Sequence, residues 1–505
     1  MQGSPVTVVW LKRDLRSRDH APLRAAQAAG RPVVLLYCWE PSLLEAPQHS
    51  PRHWRFVYES LQDLTARGWS VVQTRGEVVE VLTRIAEQYP IEALYSHQET
   101  GHRLSFVRDR AVRAWTRANG VPWTEYVQDA VIRGRKHRRG FEQHVWDFLK
   151  QPVADADRAR LTFVEAEAVD LPAPNLPDAY TQYRAPFQRG GESYAHRYLE
   201  SFTAGRGRNY ARHLGRPVES RKSCSRLSPY LAWGCLSARQ AYAWTNRPDL
   251  PRRLHAEIER FRERLWWRSH YAQKLEAEWQ IEHEPINRAL RGLDRRYDEA
   301  TFTAWAGGRT GFPMLDAAMR CLAATGWINF RLRAMLVTFA SFGLWLPYRP
   351  VAQHLGRLFL DYDPGIHYAQ IQMQAGLTGY HLPRHFNPYL QGEQFDPDGT
   401  FVHRWVPELA HVPAPWCHYP HRLTAMERQL YHLSDSVYPP PLFDYDTTIR
   451  QHQDRYWQLR NAPETQALLP AIWEKFCLPQ DIERYVAQRR QRLARTKDGT
   501  TSETQ

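Results

Sequence analysis

Short apolar runs and helical periodicities alternate through the first quarter of the chain. Residues 6–11, 33–37, 70–73 and 94–96 are apolar, β-branched-rich stretches of strand length. Between them, residues 22–29, 54–66, 80–87 and 104–118 repeat apolar positions three and four apart, the spacing of amphipathic helices. This alternation predicts a mostly parallel sheet with helices on both faces, a Rossmann-like α/β domain over residues 1–130. Its ligand site would lie off the carboxyl ends of the strands. Residues 131–190 lose the pattern. They hold a basic run at 133–139 and a proline-rich stretch at 171–186, and read as an irregular connector. Residues 191–488 read as a large all-α domain, broken by proline-rich loops near 383–397 and 413–420. The polar, basic residues 489–505 are expected to form a disordered tail.

Within the helical part, apolar residues recur at helical spacing from Pro313 to Leu346, which predicts one or two buried helices. Arg331 and Arg333 fall inside that pattern, among Trp327, Phe330, Leu332 and Met335. A guanidinium in such company needs an anionic partner, and Asp361 and Asp363 are candidates. Upstream, Ser225-Arg226-Leu227-Ser228 precedes a helical run. Clustered hydroxyls, an arginine and a helix start suit a pyrophosphate, although serines at such positions also serve as simple caps. Trp266 and Trp267 lie in a helical segment where, on their own, they read as core.

Composition narrows the reading. A net charge of +13 over 505 residues favours a polyanionic partner. The six cysteines are scattered without a CxxC pair, which argues for a reducing cytoplasm and against a zinc or iron–sulfur centre. No apolar run reaches the ~18 residues of a membrane span. The first residues enter a strand at once, with no signal-peptide pattern. No GxGxxG follows the strands, so a dinucleotide site in the first domain is not expected.

Several ordered blocks carry a family resemblance: Thr310-Gly311-Phe312-Pro313 with Asp316 and Arg320, Gly326-Trp327 with Arg331-Leu332-Arg333, then Asp361 and Asp363. Phe386-Asn387-Pro388, Phe395-Asp396-Pro397 and Arg404-Trp405-Val406-Pro407-Glu408-Leu409 complete the series. Near the N-terminus, Trp10-Leu11-Lys12-Arg13-Asp14-Leu15-Arg16 with Asp19-His20 adds an opening motif in which Asn is more usual than His20. Together they resemble the photolyase/cryptochrome family, in the manner of a divergent prokaryotic branch. The resemblance implies FAD as cofactor, UV-damaged DNA as partner and a monomer. The implied activity is light-driven splitting of pyrimidine dimers by an electron from reduced FAD. The alternative is a cryptochrome-like photoreceptor that binds FAD without repair.

The same resemblance implies the site residues. Ser225, Arg226, Leu227 and Ser228 match the FAD phosphate clamp, and Tyr210 the tyrosine that closes over the cofactor. Arg268, Arg333, Asp361 and Asp363 fall beside the flavin, with Arg333 paired to Asp361. Trp267 would stack on an extruded base, and Arg331 and the 133–139 run would hold the DNA backbone. The acid that faces the damaged bases is displaced: Arg264 occupies its position and Glu263 is one residue, or about 100° of helix, away. His367 stands where Asn is usual near flavin N5, Ile371 replaces the tryptophan four residues later, Met373 replaces one expected in the substrate pocket where it would meet the DNA, and Tyr348 interrupts the usual electron chain, with Trp345 nearby. Trp267, Glu263 and His367 are thus the catalytic candidates. Ser96-His97-Gln98-Glu99-Thr100-Gly101 falls where the family binds a second, antenna chromophore, a folate or a deazaflavin; Thr100 also reads as a plain helix cap.

Overall fold

The computed structural model describes residues 3–153 and 155–487. The tail expected over 489–505 lies outside the described residues.

Five parallel strands form one sheet: β1 (Val6–Leu11), β2 (Val33–Trp39), β3 (Val71–Arg75), β4 (Ile91–His97) and β5 (Trp123–Tyr126), in the order β3-β2-β1-β4-β5. β1 and β2 are buried at every residue, which is why they read as unbroken apolar runs. β5 was not expected. It is a four-residue edge strand, half exposed, with no apolar run to mark it. The crossovers are α1 (Ala21–Ala29), α2 (Pro51–Ala66), α3 (Val78–Gln88) and α4 (Arg103–Ala118), in the predicted places.

The connector is more ordered than its composition suggests. Phe141–Lys150 forms a helix, α5, which buries Phe141, Val145, Phe148 and Leu149 along one stripe. Farther on, Val33 donates to the carbonyl of Thr162 and accepts from the amide of Val164, so the connector runs beside the sheet.

The remainder is helical. The elements that matter below are α6 (Ser228–Ala232), α7 (His255–Ala277), α8 (Pro313–Thr325), α9 (Phe330–Thr338), α10 (Tyr348–Leu358) and α11 (Pro364–Gln374). The expected buried stretch over 313–346 is two helices. Gly326, in the left-handed region at φ 71°, ends α8, and Asn329 caps α9 by accepting from the Leu332 amide at 3.0 Å.

One apolar cluster fills the space between sheet and helices, joining Leu11, Trp39 and Trp54 to Trp233, Leu265 and Trp327. The other sheet face packs Trp10, Leu36, Val81 and Val112. Arg13, just past β1, crosses the boundary. It donates to the Ala232 carbonyl at 3.0 Å and to the Tyr362 carbonyl, and its guanidinium lies 4.3 Å from the Trp233 ring. Next to it, Asp14 accepts from the Lys12 amide (2.6 Å) and from His97 Nδ1 (2.7 Å), and lies 3.1 Å from His20 Nε2. Burial raises the Asp14 pKa, but these hydrogen bonds outweigh it and hold the carboxyl well below its usual range. His20 also accepts from the Leu23 amide, so the knot ties the ends of β1 and β4 to the start of α1.

Candidate flavin and base-binding site

The segment 206–228 collects arginines. Arg206 donates to the carbonyls of Ser225 (2.9 Å), Lys222 (2.8 Å) and Tyr198 (3.0 Å). Arg221 donates to Thr325 Oγ1 and to the Trp327 carbonyl at 3.3 and 3.2 Å. Arg226, buried and in the left-handed region at φ 61°, donates twice to Gln188 Oε1 and lies 4.1 Å from the Trp327 ring. Burial and Arg221 push its pKa down to about 10, so it stays charged at neutral pH. Among the described residues, the groups that these three guanidiniums hydrogen-bond are neutral, and Asp361 acts on Arg226 only through space. Guanidiniums gathered without a carboxylate in hydrogen-bond contact suit a phosphate. Arg206, Arg221 and Gln188 escaped sequence reasoning; the repeated arginines of the 206–221 stretch were the available signal. Two expectations change. Leu227 is a fully buried core residue whose amide donates to Ser225 Oγ at 3.4 Å, and Arg226 is held by Gln188 and does not project freely.

Arg333 and Asp361 meet as expected, through two parallel hydrogen bonds of 3.0 and 2.7 Å. Asp363 caps α11, accepting from the Gly365 amide at 3.1 Å, and accepts from Arg268 at 3.0 Å. Arg268 also pairs with Asp129 at 2.7 Å. Burial would lower the Arg268 pKa, but the two carboxylates overcome it and raise it. α7 and α11 cross so closely that a Cβ on Gly365 would stand 2.8 Å from the Ala272 Cα.

His367 departs from its expected role. Its Nε2 lies 2.8 Å from the Ala352 carbonyl, which accepts only, so that nitrogen carries the proton and donates it to backbone. Burial pushes its pKa down to about 4 despite that bond. His367 is a neutral histidine packed 5.1 Å from Tyr362, and its proton is committed away from any ligand. Ile371 is buried in the helical core. Trp345 stacks on His452 at 4.4 Å, with Arg295 and Arg455 each 4.9 Å from its ring.

On α7, Trp267 is 38% exposed and stacks on Tyr271 at 5.7 Å. The Tyr271 hydroxyl donates to Met373 Sδ at 3.9 Å, which brings Met373 to the same face. Glu263, one turn before Trp267, pairs with Arg260 at 3.0 Å, and Arg264 beside it is exposed. Tyr210 is buried against Phe202, and its hydroxyl lies beside the Arg264 guanidinium. Arg331 lies over the Phe395 ring at 4.1 Å and donates to Gln391 at 3.1 Å, leaving its guanidinium partly open. In the basic run, Arg133 pairs with Glu125 at 2.7 Å and Arg138 is buried against the Lys475 carbonyl, while Lys136 is exposed and Arg139, also exposed, faces Glu474 at 3.6 Å.

At the carboxyl end of β4, Thr100 does not cap α4; it reaches Glu276 on α7 at 3.4 Å. The narrow cleft there is lined by Lys12, His97, Thr100, Asp129, Arg268 and Asp363.

Comparison with known proteins agrees with this architecture. Residues 7–143 match the DNA photolyase family model, and residues 261–458 match the model for the FAD binding domain of DNA photolyase. A deoxyribodipyrimidine photo-lyase of Streptomyces griseus is 30% identical over 87% of this chain and 96% of its own length. The chain belongs to the photolyase/cryptochrome family. Among other photolyase/cryptochrome proteins, a cryptochrome DASH of Gloeobacter violaceus is 28% identical over 94% of this chain and 97% of its own. The crystal structure of a Synechocystis cryptochrome superposes with a TM-score of 0.81 at 22% identity, covering 90% of this chain and 100% of that one. FAD is the cofactor of this photolyase/cryptochrome fold. No described helix is long and apolar enough to cross a membrane.

Proposed function

We propose that this protein is a light-driven DNA repair flavoenzyme that splits UV-induced pyrimidine dimers. The observation that carries the reading is the exposed Trp267. It stands on α7 directly before Arg268, which turns inward to Asp363, so an aromatic platform opens beside the cofactor residues. Stacking on an extruded base is a fitting use for an exposed indole in basic surroundings, here Arg264 and Arg331. A bound, reduced flavin supplies light-driven electron donation. The chain's own residues do the rest: Arg206, Arg221 and Arg226 hold the phosphates, Arg333 with Asp361 and Arg268 with Asp363 fix the ring side, and Trp267, Tyr271 and Met373 form the wall for the lesion. Arg331 supports the DNA backbone. A second chromophore near Ser96–Gly101 belongs to the same proposal, as do a monomeric state and a cytoplasmic location.

The photoreceptor reading has one observation in its favour: Glu263, one turn before Trp267, is already paired with Arg260. An oligonucleotide bearing a thymine dimer, incubated with reduced protein under blue light and in darkness, separates the two. Light-dependent loss of the dimer is expected; an unchanged dimer under light favours the photoreceptor.

A further inference from the structure

Arg138 and Lys274 are buried cations that the flavin and base sites leave unused. Arg138 donates through Nε to the Lys475 carbonyl at 3.2 Å; among the described residues, neither of its Nη atoms has a hydrogen-bond partner. Lys274, on α7, makes a long contact, donating to the Tyr380 hydroxyl at 3.4 Å, and lies 5.1 Å from the Tyr271 ring. Asp481 acts on Lys274 through space but is itself paired with Arg484 at 2.8 Å. The titratable neighbours Cys477, Tyr380 and His270 stay neutral. Burial pushes the Cys477 thiol up to about 12 and raises the Tyr380 phenol as well, while burial, Lys274 and Arg138 together hold His270 well below its ordinary value. Buried cations gathered without a counter-ion call for an anion.

A way in from solvent exists. An open groove of about 360 Å³ runs between α5 and the segment that follows Phe476. Its buried floor is Arg138 and Leu478, and Trp146, Gln143 and Gln480 stand half-buried or exposed along its rim. The acid at the rim, Glu142, accepts from Gln480 at 2.7 Å. The groove therefore ends on a guanidinium whose donors are unspent, with the Lys274 ammonium deeper in. A guanidinium fork donates two parallel N–H bonds and matches the oxygens of a phosphate. We propose that this groove is a binding site for an oxyanion of the phosphate class, gripped by Arg138 with Lys274 as a second positive charge behind it. The oxyanion has two sources, a free phosphate compound or the backbone of DNA lying along the exposed Lys136 and Arg139.

The test follows the melting temperature of the FAD-loaded protein in sodium phosphate against sodium chloride at matched ionic strength. Isothermal titration calorimetry of phosphate into the wild type gives a reading that needs no variant. The wild type is expected to gain melting temperature along a saturating curve and to show one-site heat. Arg138→Met, which removes the fork at similar length, should lose the saturating part. Lys274→Met should weaken phosphate binding about tenfold, as one charge is lost and the fork is kept. Flavin absorbance and circular dichroism show that each variant is folded and loaded. Absence of heat and of a saturating rise in the wild type would overturn the proposal. So would a saturating rise that Arg138→Met retains, or a linear rise shared by all three proteins, which is the general effect of an excluded anion. A second arm reads the source: an undamaged DNA duplex is bound in the dark with and without saturating phosphate. Displacement of the duplex that disappears in Arg138→Met supports the site with DNA backbone as its occupant. Simultaneous binding of duplex and phosphate supports it with a free phosphate compound.

Discussion

Asp361 and Arg333 meet through two parallel hydrogen bonds, yet the Arg333 side chain is 26% exposed while Asp361 is 4% exposed. Removing the carboxylate leaves a guanidinium that water can partly reach. Asp361→Ala should therefore cost about 1–3 kcal/mol, less than for a fully buried pair. The measurements are thermal unfolding and the FAD-to-protein ratio, and both should fall. Trp345 is the second residue with a sharp consequence. A positive charge 4.9 Å from its ring opposes electron loss by about 3 kcal/mol at an effective dielectric of 20. Arg295 supplies that charge from a buried position, since burial lowers its pKa only to about 9. Trp345 is thus a poor stepping stone for electrons. Photoreduction of the oxidised flavin with external thiol should run at the same rate in Trp345→Phe as in the wild type; a large fall would return Trp345 to the route.

At the scale of elements, the α7–α11 crossing is the most constrained contact in the site. Gly365→Ala would drive a methyl against the Ala272 backbone, where no side chain can rotate away. A loss of about 1–3 kcal/mol, with weaker FAD retention, is expected; unchanged melting would mean the helices can slide apart. The same scale shows what the sequence could reveal. Strands β1 to β4 and helices α1 to α4 were legible because two-sided burial writes itself as apolar runs and one-sided burial as helical spacing. β5 was not, because a half-exposed edge strand of four residues carries neither signal. α5 was hidden by its basic and proline-rich flanks, although its apolar stripe was present. In the site, the Arg333–Asp361 pair was legible because a charge among apolar neighbours needs a partner. The pairing of Glu263 with Arg260 and the bond of His367 to Ala352 were not, since both depend on which partner a side chain finds once the helices are packed.

For the whole molecule, the buried histidines set the response to acid. Burial pushes His97, His102 and His381 down to about 3, and His354, His367 and His385 to about 4. Their unfolded value is about 6.5. The folded state holds them neutral, so the unfolded chain binds more protons below that value. Stability is fully present above pH ~6.5 and declines as pH falls toward 4, each histidine adding about 1.4 kcal/mol per pH unit. Urea midpoints measured at successive pH values should drop steeply through this window and level off above it. A flat profile would mean that the histidines are reached by water in the folded state.

The shared cluster between sheet and helices has a consequence for how this protein could be remade. Trp54 from α2 and Trp233 after α6 belong to one core, and Arg13 closes the seam over them. The boundary is therefore no hinge, and the first 130 residues are not a cassette. A chimaera that grafted a relative's N-terminal part onto these helices would meet mismatched halves of a single core, and its flavin site would inherit the fault through the Tyr362 carbonyl that Arg13 holds. Successful recombination would have to carry both faces of the seam across together.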